Sequence, residues 1–123
     1  MEEKSALTEA VFLILHSMLE PRHGYSVMQH IGRITRGRVI LGAGTLYGAI
    51  NTLLNKGWIE SVSEDGDARK KIYQTTELGR DALWSDVARI EELLRIVENA
   101  REDVILRREN ERSSSTSKKK KNG

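Results

Sequence analysis

A chain of 123 residues carrying a net charge of +2 is long enough for one ordinary domain with a modest core. The absence of cysteine excludes a disulfide framework and any thiolate metal site. No apolar run approaches the roughly 18 residues of a membrane span, and the acidic opening MEEKSALTEA is unlike a secretory signal, so the cytoplasm is the expected location.

The first element, LTEAVFLILHSML, is apolar nearly all round from Leu7 to Leu19. Such a helix is buried on most sides, within its own domain or against a partner. Pro21 ends it. After Gly24, the stretch YSVMQHIGRITRG predicts a short helix with Tyr25, Met28, Ile31 and Ile34 inward and Gly37 as its stop. RVILGAG is a brief apolar link. The next helix, GTLYGAINTLLNKG, buries Leu46, Ile50, Leu53 and Leu54 at helical spacing. Its opposite side collects Gly44, Thr45, Gly48, Asn51, Thr52 and Asn55. A solvated helix face normally carries Glu and Lys, and this one carries neither.

The charge pattern bears on the same helix. No acidic residue falls between Glu20 and Glu60, whereas Arg22, Arg33, Arg36, Arg38, Lys56, His23 and His30 all do. A basic, acid-free segment around an uncharged helix face suits a polyanion. On charge alone, chance clustering of a few arginines is the equal alternative.

WIESVSEDGDARKKIYQT reads as a β-hairpin turning at Asp65-Gly66, with Arg69, Lys70 and Lys71 in its loop. Trp58 reads as a packing residue at the base of that hairpin. Thr76 is placed to cap a long final helix. Along it Leu83, Val87, Ile90, Leu94, Val97 and Val104 follow steps of four and three, a heptad seam in which Arg101 fills the skipped place. A second stripe, Leu93, Ile96 and Ala100, widens the apolar face. Dimerisation through this helix is the favoured reading, with packing inside one chain as the other. Trp84 lies one position off the seam and either lines a cavity at the dimer or packs half exposed.

Helix, helix, helix, hairpin, long helix is the winged helix-turn-helix plan. The expected fold is therefore mainly α with a small β-hairpin, a winged helix-turn-helix plus a long C-terminal dimerisation helix. Residues 1–75 form the DNA-binding domain, 76–112 the dimerisation helix, and 113–123 a disordered Ser/Lys tail. In helix-turn-helix proteins the later helix enters the major groove. Gly44 and Gly48 then let the helix backbone come close to DNA, and Thr45, Asn51, Thr52 and Asn55 offer donors and acceptors for bases or phosphates. Tyr47, at the edge between the two faces, either reaches DNA or packs in the core. Tyr25 is read as a phosphate contact or a partly buried structural residue.

LTEAVFLILHSMLEPRHGYSVMQHI, LGAGTLYGAINTLLNKGWIE and KKIYQTTELGRDAL together resemble the PadR family of transcriptional regulators. The specific parts are the His-Gly-Tyr of His23 to Tyr25, the Gly-Thr-Leu-Tyr of Gly44 to Tyr47, and the Tyr73, Thr76, Gly79 pattern. The resemblance implies a homodimeric winged-helix protein bound to double-stranded DNA, usually a repressor released by a small-molecule effector. It also implies the compact subgroup with a single C-terminal helix. It assigns base reading to the helix of Thr45 and Tyr47 and backbone or minor-groove contact to Lys70, with Arg69 beside it. Some compact members sense aromatic drugs through a Trp on the last helix; Ile90 stands at that place here, and Trp84 lies elsewhere.

His16, His23 and His30 recur at heptad spacing, but Pro21 intervenes, so they share no helix face and no metal or cofactor is expected. LGAGTLYG lacks the Lys-Ser/Thr ending of a phosphate-binding loop, no nucleophile–base pair is recognisable, and no enzyme is expected. The rivals to DNA binding are a winged-helix protein-interaction module and a small-molecule-binding dimer.

Overall fold

The computed structural model describes residues 6–64, 66–67 and 70–121, with side chains as far as residue 114. The chain forms two compact units, Met1–Val87 and Ala88–Gly123. The first holds α1 (Glu9–Ser17), β1 (Arg22–His23), α2 (Gly24–Ile34), α3 (Ala43–Asn55), β2 (Ile59–Ser61), β3 (Ile72–Thr75) and the opening turns of α4 (Glu77–Lys121). The architecture is mainly helical with one small antiparallel sheet, as the sequence leads one to expect.

Local chemistry sets the helix ends. Thr8 caps α1, its hydroxyl accepting the N–H of Val11 at 3.2 Å. α2 ends in paired reverse bonds from Arg36 N–H to the Arg33 carbonyl and from Gly37 N–H to the Gly32 carbonyl. Both closing residues are left-handed, Arg36 with φ 53° and Gly37 with φ 78°. Gly37 alone does not stop the helix. Arg36 enters the left-handed region first, where an L side chain costs roughly 1–2 kcal/mol.

α2 also differs in its phase. Gly24, Val27 and Ile31 are its buried row, with Met28 beside them. Tyr25, at 59% exposed, and Ile34 do not face inward. The helix starts at Gly24, and the i, i+3, i+7 row from that start bypasses Tyr25; Ile34 continues the row but is the last residue of the helix, where it lies at the surface.

The sheet has three strands rather than the two of a hairpin, in the order β1-β3-β2. β2 pairs with β3 through Ile59↔Thr75, Glu60↔Gln74 and Ser61↔Tyr73. β1, too short to leave a periodic signal, pairs as Arg22↔Tyr73 and His23↔Ile72. Thr75 locks the sheet to α1, donating its hydroxyl to the Leu15 carbonyl at 2.9 Å and its N–H to that of Met18 at 2.7 Å.

The core gathers Ile14, Leu15 and Met18 from the first helical region, Val27 and Ile31, Leu46, Ile50 and Leu53, then Ile59, Tyr73 and Leu83. Trp58 packs against this cluster with the Lys56 ammonium 4.6 Å above its ring. Thr76 caps α4, its hydroxyl accepting the Gly79 N–H at 3.1 Å. A Cβ on Gly79 would overlap the Trp58 carbonyl oxygen and lie 2.8 Å from Thr75 Cγ2. Only glycine lets α4 start that close to the strand it follows.

Leu83 and Asp86 are buried, so the first unit takes in the opening turns of α4. The α4 backbone runs on past Arg112 to Lys121. The Ser/Lys tail expected at 113–123 has its side chains beyond 114, and its last two residues entirely, outside the described residues. Among the described residues no helix is long and apolar enough to cross a membrane.

Candidate nucleic-acid interface

α3 turns Leu46, Ile50 and Leu53 into the core, and that row decides what faces out. Gly44, Thr45, Gly48, Asn51, Thr52 and Asn55 are all exposed, side by side on one helix. Leu54, expected inside, also lies at the surface. Gly42, the N-cap of α3, offers no capping side chain, and the first turn holds no acidic residue. The amide hydrogens there and the positive end of the helix dipole are left for an incoming anion. Thr52 donates its hydroxyl to the Gly48 carbonyl at 3.2 Å, so toward a ligand that oxygen accepts. Thr45, Asn51 and Asn55 are the freer hydrogen-bonding groups of this face.

Tyr47 is half buried, and its ring lies over the first turn of α2. A Cβ on Gly24 would meet Tyr47 Cε1 at 3.0 Å and its hydroxyl oxygen at 3.1 Å. Two sequence motifs thus interlock, the glycine of His-Gly-Tyr receiving the tyrosine of Gly-Thr-Leu-Tyr. Exposed Tyr25 stands next to that contact in the chain. Burial, with Tyr47 and Asp67 nearby, raises the Tyr73 phenol above its ordinary value and keeps it neutral.

The segment without acids in sequence does not stay without them in space. Glu9 pairs with Arg38; that hydrogen bond lowers the Glu9 carboxyl and raises the Arg38 guanidinium. Arg22 donates from Nε to the Ser17 carbonyl at 2.7 Å and lies 3.8 Å from Glu20. Arg36, held in its left-handed turn, makes no ion pair among the described residues. In the hairpin loop Lys70 is exposed, and the Asp67 carbonyl accepts its N–H at 2.9 Å. Arg69, named with Lys70 as a wing contact, lies outside the described residues, as does Asp65 of the expected turn.

Of the heptad seam, Leu83 belongs to its own chain's core at 1% exposed and has no surface for a partner. Val87 is half buried. Ile90, Leu94 and Val97 are 42%, 55% and 52% exposed, and Leu93, Ile96 and Val104 are exposed with them. Trp84 is 53% exposed.

One constellation escapes linear reading. α1 packs on α2 and stacks His16 over His30, ring centroids 5.9 Å apart with 22° between planes. Partial burial lowers the His30 pKa first, and Arg22, His16 and Arg33 lower it further, against an opposing pull from Glu20. The Pro21 break hid this pair, because it forms across two helices. Among the described residues no three His, Cys, Asp or Glu side chains gather as metal ligands.

The chain matches the model of the transcriptional regulator PadR-like family over residues 13–85. No curated protein sequence matches it. A PadR family transcriptional regulator from Eggerthella lenta is similar in structure, with a TM-score of 0.62 and 26% identity over 73% of this chain and 79% of that one. RosR from H. salinarum gives a TM-score of 0.58 and 25% identity over 79% and 96%. A transcriptional regulator from Clostridium thermocellum, at 22% identity and a TM-score of 0.62 over 72% and 89%, is a likeness of fold.

Proposed function

The chain belongs to the PadR-like family of transcriptional regulators, and we propose that it regulates by binding specific DNA as a homodimer in the cytoplasm, a ligand-responsive repressor on a pseudo-palindromic operator. The observation that carries this reading is the outward face of α3, exposed, uncharged and rich in small hydrogen-bonding groups at an uncapped helix start. Carboxylates there would repel phosphate, and large side chains would hold the backbone off. Thr45 and Asn51 read base edges; Gly44 and Gly48 allow close approach; Thr52, Tyr25 and the Tyr47 hydroxyl serve the backbone. Residues 1–75 carry the DNA surface, with Arg69 and Lys70 as the wing contacts.

The exposed stripe of Ile90, Leu94 and Val97 supports dimerisation through α4. A two-fold dimer sets two α3 helices on half-sites about one DNA turn (~10 bp) or a multiple apart. An effector would act beside Trp84, whose half-exposed indole makes fluorescence quenching by aromatic compounds the readout.

The test is a fluorescence-anisotropy titration against DNA from upstream of the protein's own gene, beside a shuffled control, at two salt concentrations. Tight, salt-dependent binding that prefers the native segment is expected. Asn51→Ala should lose about 1–3 kcal/mol of discrimination between the two, whereas Lys70→Ala should weaken both equally and lower the salt slope by about one. No binding at low salt would overturn the reading and direct attention to a protein partner.

A further inference from the structure

His23 stands at the N-cap of α2, where Ser, Thr, Asp or Asn would satisfy a free amide of the first turn. Its side chain makes no such bond. The ring reaches the hairpin loop instead, with Nδ1 3.0 Å from the carbonyl oxygen of Lys70. A carbonyl only accepts, so Nδ1 carries the hydrogen and donates.

The surroundings explain why this bond is needed. On one edge β3 is continued toward the loop by bonds to the β2 side. Val62 N–H donates to the Ile72 carbonyl at 2.8 Å, and Ile72 N–H donates to Ser63 Oγ at 2.9 Å. On the other edge β1 ends at His23, paired with Ile72, because α2 begins at the next residue. Main-chain pairing on that edge stops there, and the Lys70 carbonyl lies just past its end. The His23 imidazole supplies the donor that a longer β1 would have given. Together with the Asp67 carbonyl, which accepts the N–H of Lys70 at 2.9 Å and of Lys71 at 3.0 Å, it holds the returning limb of the loop at both its amide and its carbonyl sides.

We propose that His23 is a positioning residue for the wing, fixing Lys70 and Lys71 where they meet the DNA backbone. This rests on the DNA-binding reading above. His23 itself touches no DNA; it gives up the cap of α2 to order two cations some distance along the chain.

The test uses His23→Ser, which supplies an α2 cap and so keeps the fold while removing the wing bond, and His23→Asn, whose side-chain amide can stand in for Nδ1. Each is titrated against a labelled duplex of arbitrary sequence, about three turns (~30 bp) long, over a range of NaCl concentrations. His23→Ser is expected to bind about threefold to tenfold more weakly, with a salt slope lower by about one. His23→Asn should recover most of the loss. Added to Lys70→Ala/Lys71→Ala, His23→Ser should change nothing further, since its effect runs through those lysines. An unchanged salt slope in His23→Ser, or a full additional loss on the lysine-free background, overturns the proposal. Wild-type protein that fails to bind at low salt overturns the DNA reading instead. The amide order parameters of Lys70 and Lys71 in DNA-free protein then decide: a fall in His23→Ser upholds the wing contact, and no change refutes it.

Discussion

α3 and the described part of α4 beyond Val87 are both amphipathic helices, and they expose opposite kinds of surface. α3 hides Leu46, Ile50 and Leu53 and presents small polar groups. The later turns of α4 present Ile90, Leu93, Leu94, Ile96 and Val97. Water satisfies the first face at little cost, so it can wait for a ligand that comes and goes. It cannot satisfy the second, where each aliphatic side chain gains about 1.5–3 kcal/mol on full burial. On the proposed reading the polar face is therefore the reversible DNA surface, and the apolar stripe the constitutive dimer surface.

The largest expected effect tests how α4 is anchored in the first unit. Gly79→Ala puts a Cβ against the Trp58 carbonyl and should destabilise that unit by about 3 kcal/mol or more, read as a lower urea midpoint. The next effect makes the α4 stripe resemble a solvated face. Leu94→Glu should weaken self-association by about 2–3 kcal/mol in sedimentation equilibrium while the first unit melts as before. An unchanged association constant would remove the stripe from the subunit surface.

Smaller and of opposite sign is Gly48→Ala, whose Cβ meets nothing within 4 Å. Helix propensity should raise stability by roughly 0.5–1 kcal/mol, while the added methyl holds DNA off and weakens specific binding. A variant that is more stable and binds equally well would show that the glycine serves no close approach.

The smallest effect is the pH dependence of the α1–α2 contact. Folding lowers the His30 pKa, so the neutral ring is the favoured form in the native state. Its contribution is complete above the unfolded value of about 6.5 and is lost as pH falls through that value toward the folded one. The melting temperature should therefore drop on acidification below neutrality, and less so in His30→Gln. Equal drops would mean that other groups control the acid limb.

The sequence by itself determined the order of helices, the polar α3 face and the Leu46, Ile50 and Leu53 row behind it, because these follow from the periodicity that a helix imposes on its own residues. Thr76 as a cap was legible because a cap acts on an amide three positions on, and Trp58 as a packing residue because a large aromatic ring gains most by meeting a core. The family motifs were visible as patterns, but their cause was not. Gly24 is glycine because Tyr47 lies over it, and Gly79 because Trp58 does. Only the tertiary structure decided the rest. It moved Leu83 from the seam into the core, turned Tyr25 and Ile34 outward, and added β1 to the hairpin. It also brought Glu9 to Arg38, His16 to His30, and His23 to the Lys70 carbonyl. Each of those joins residues that no local period relates. They meet because burying one common core brings distant stretches of chain together, and hydrophobic burial carries no record of sequence separation.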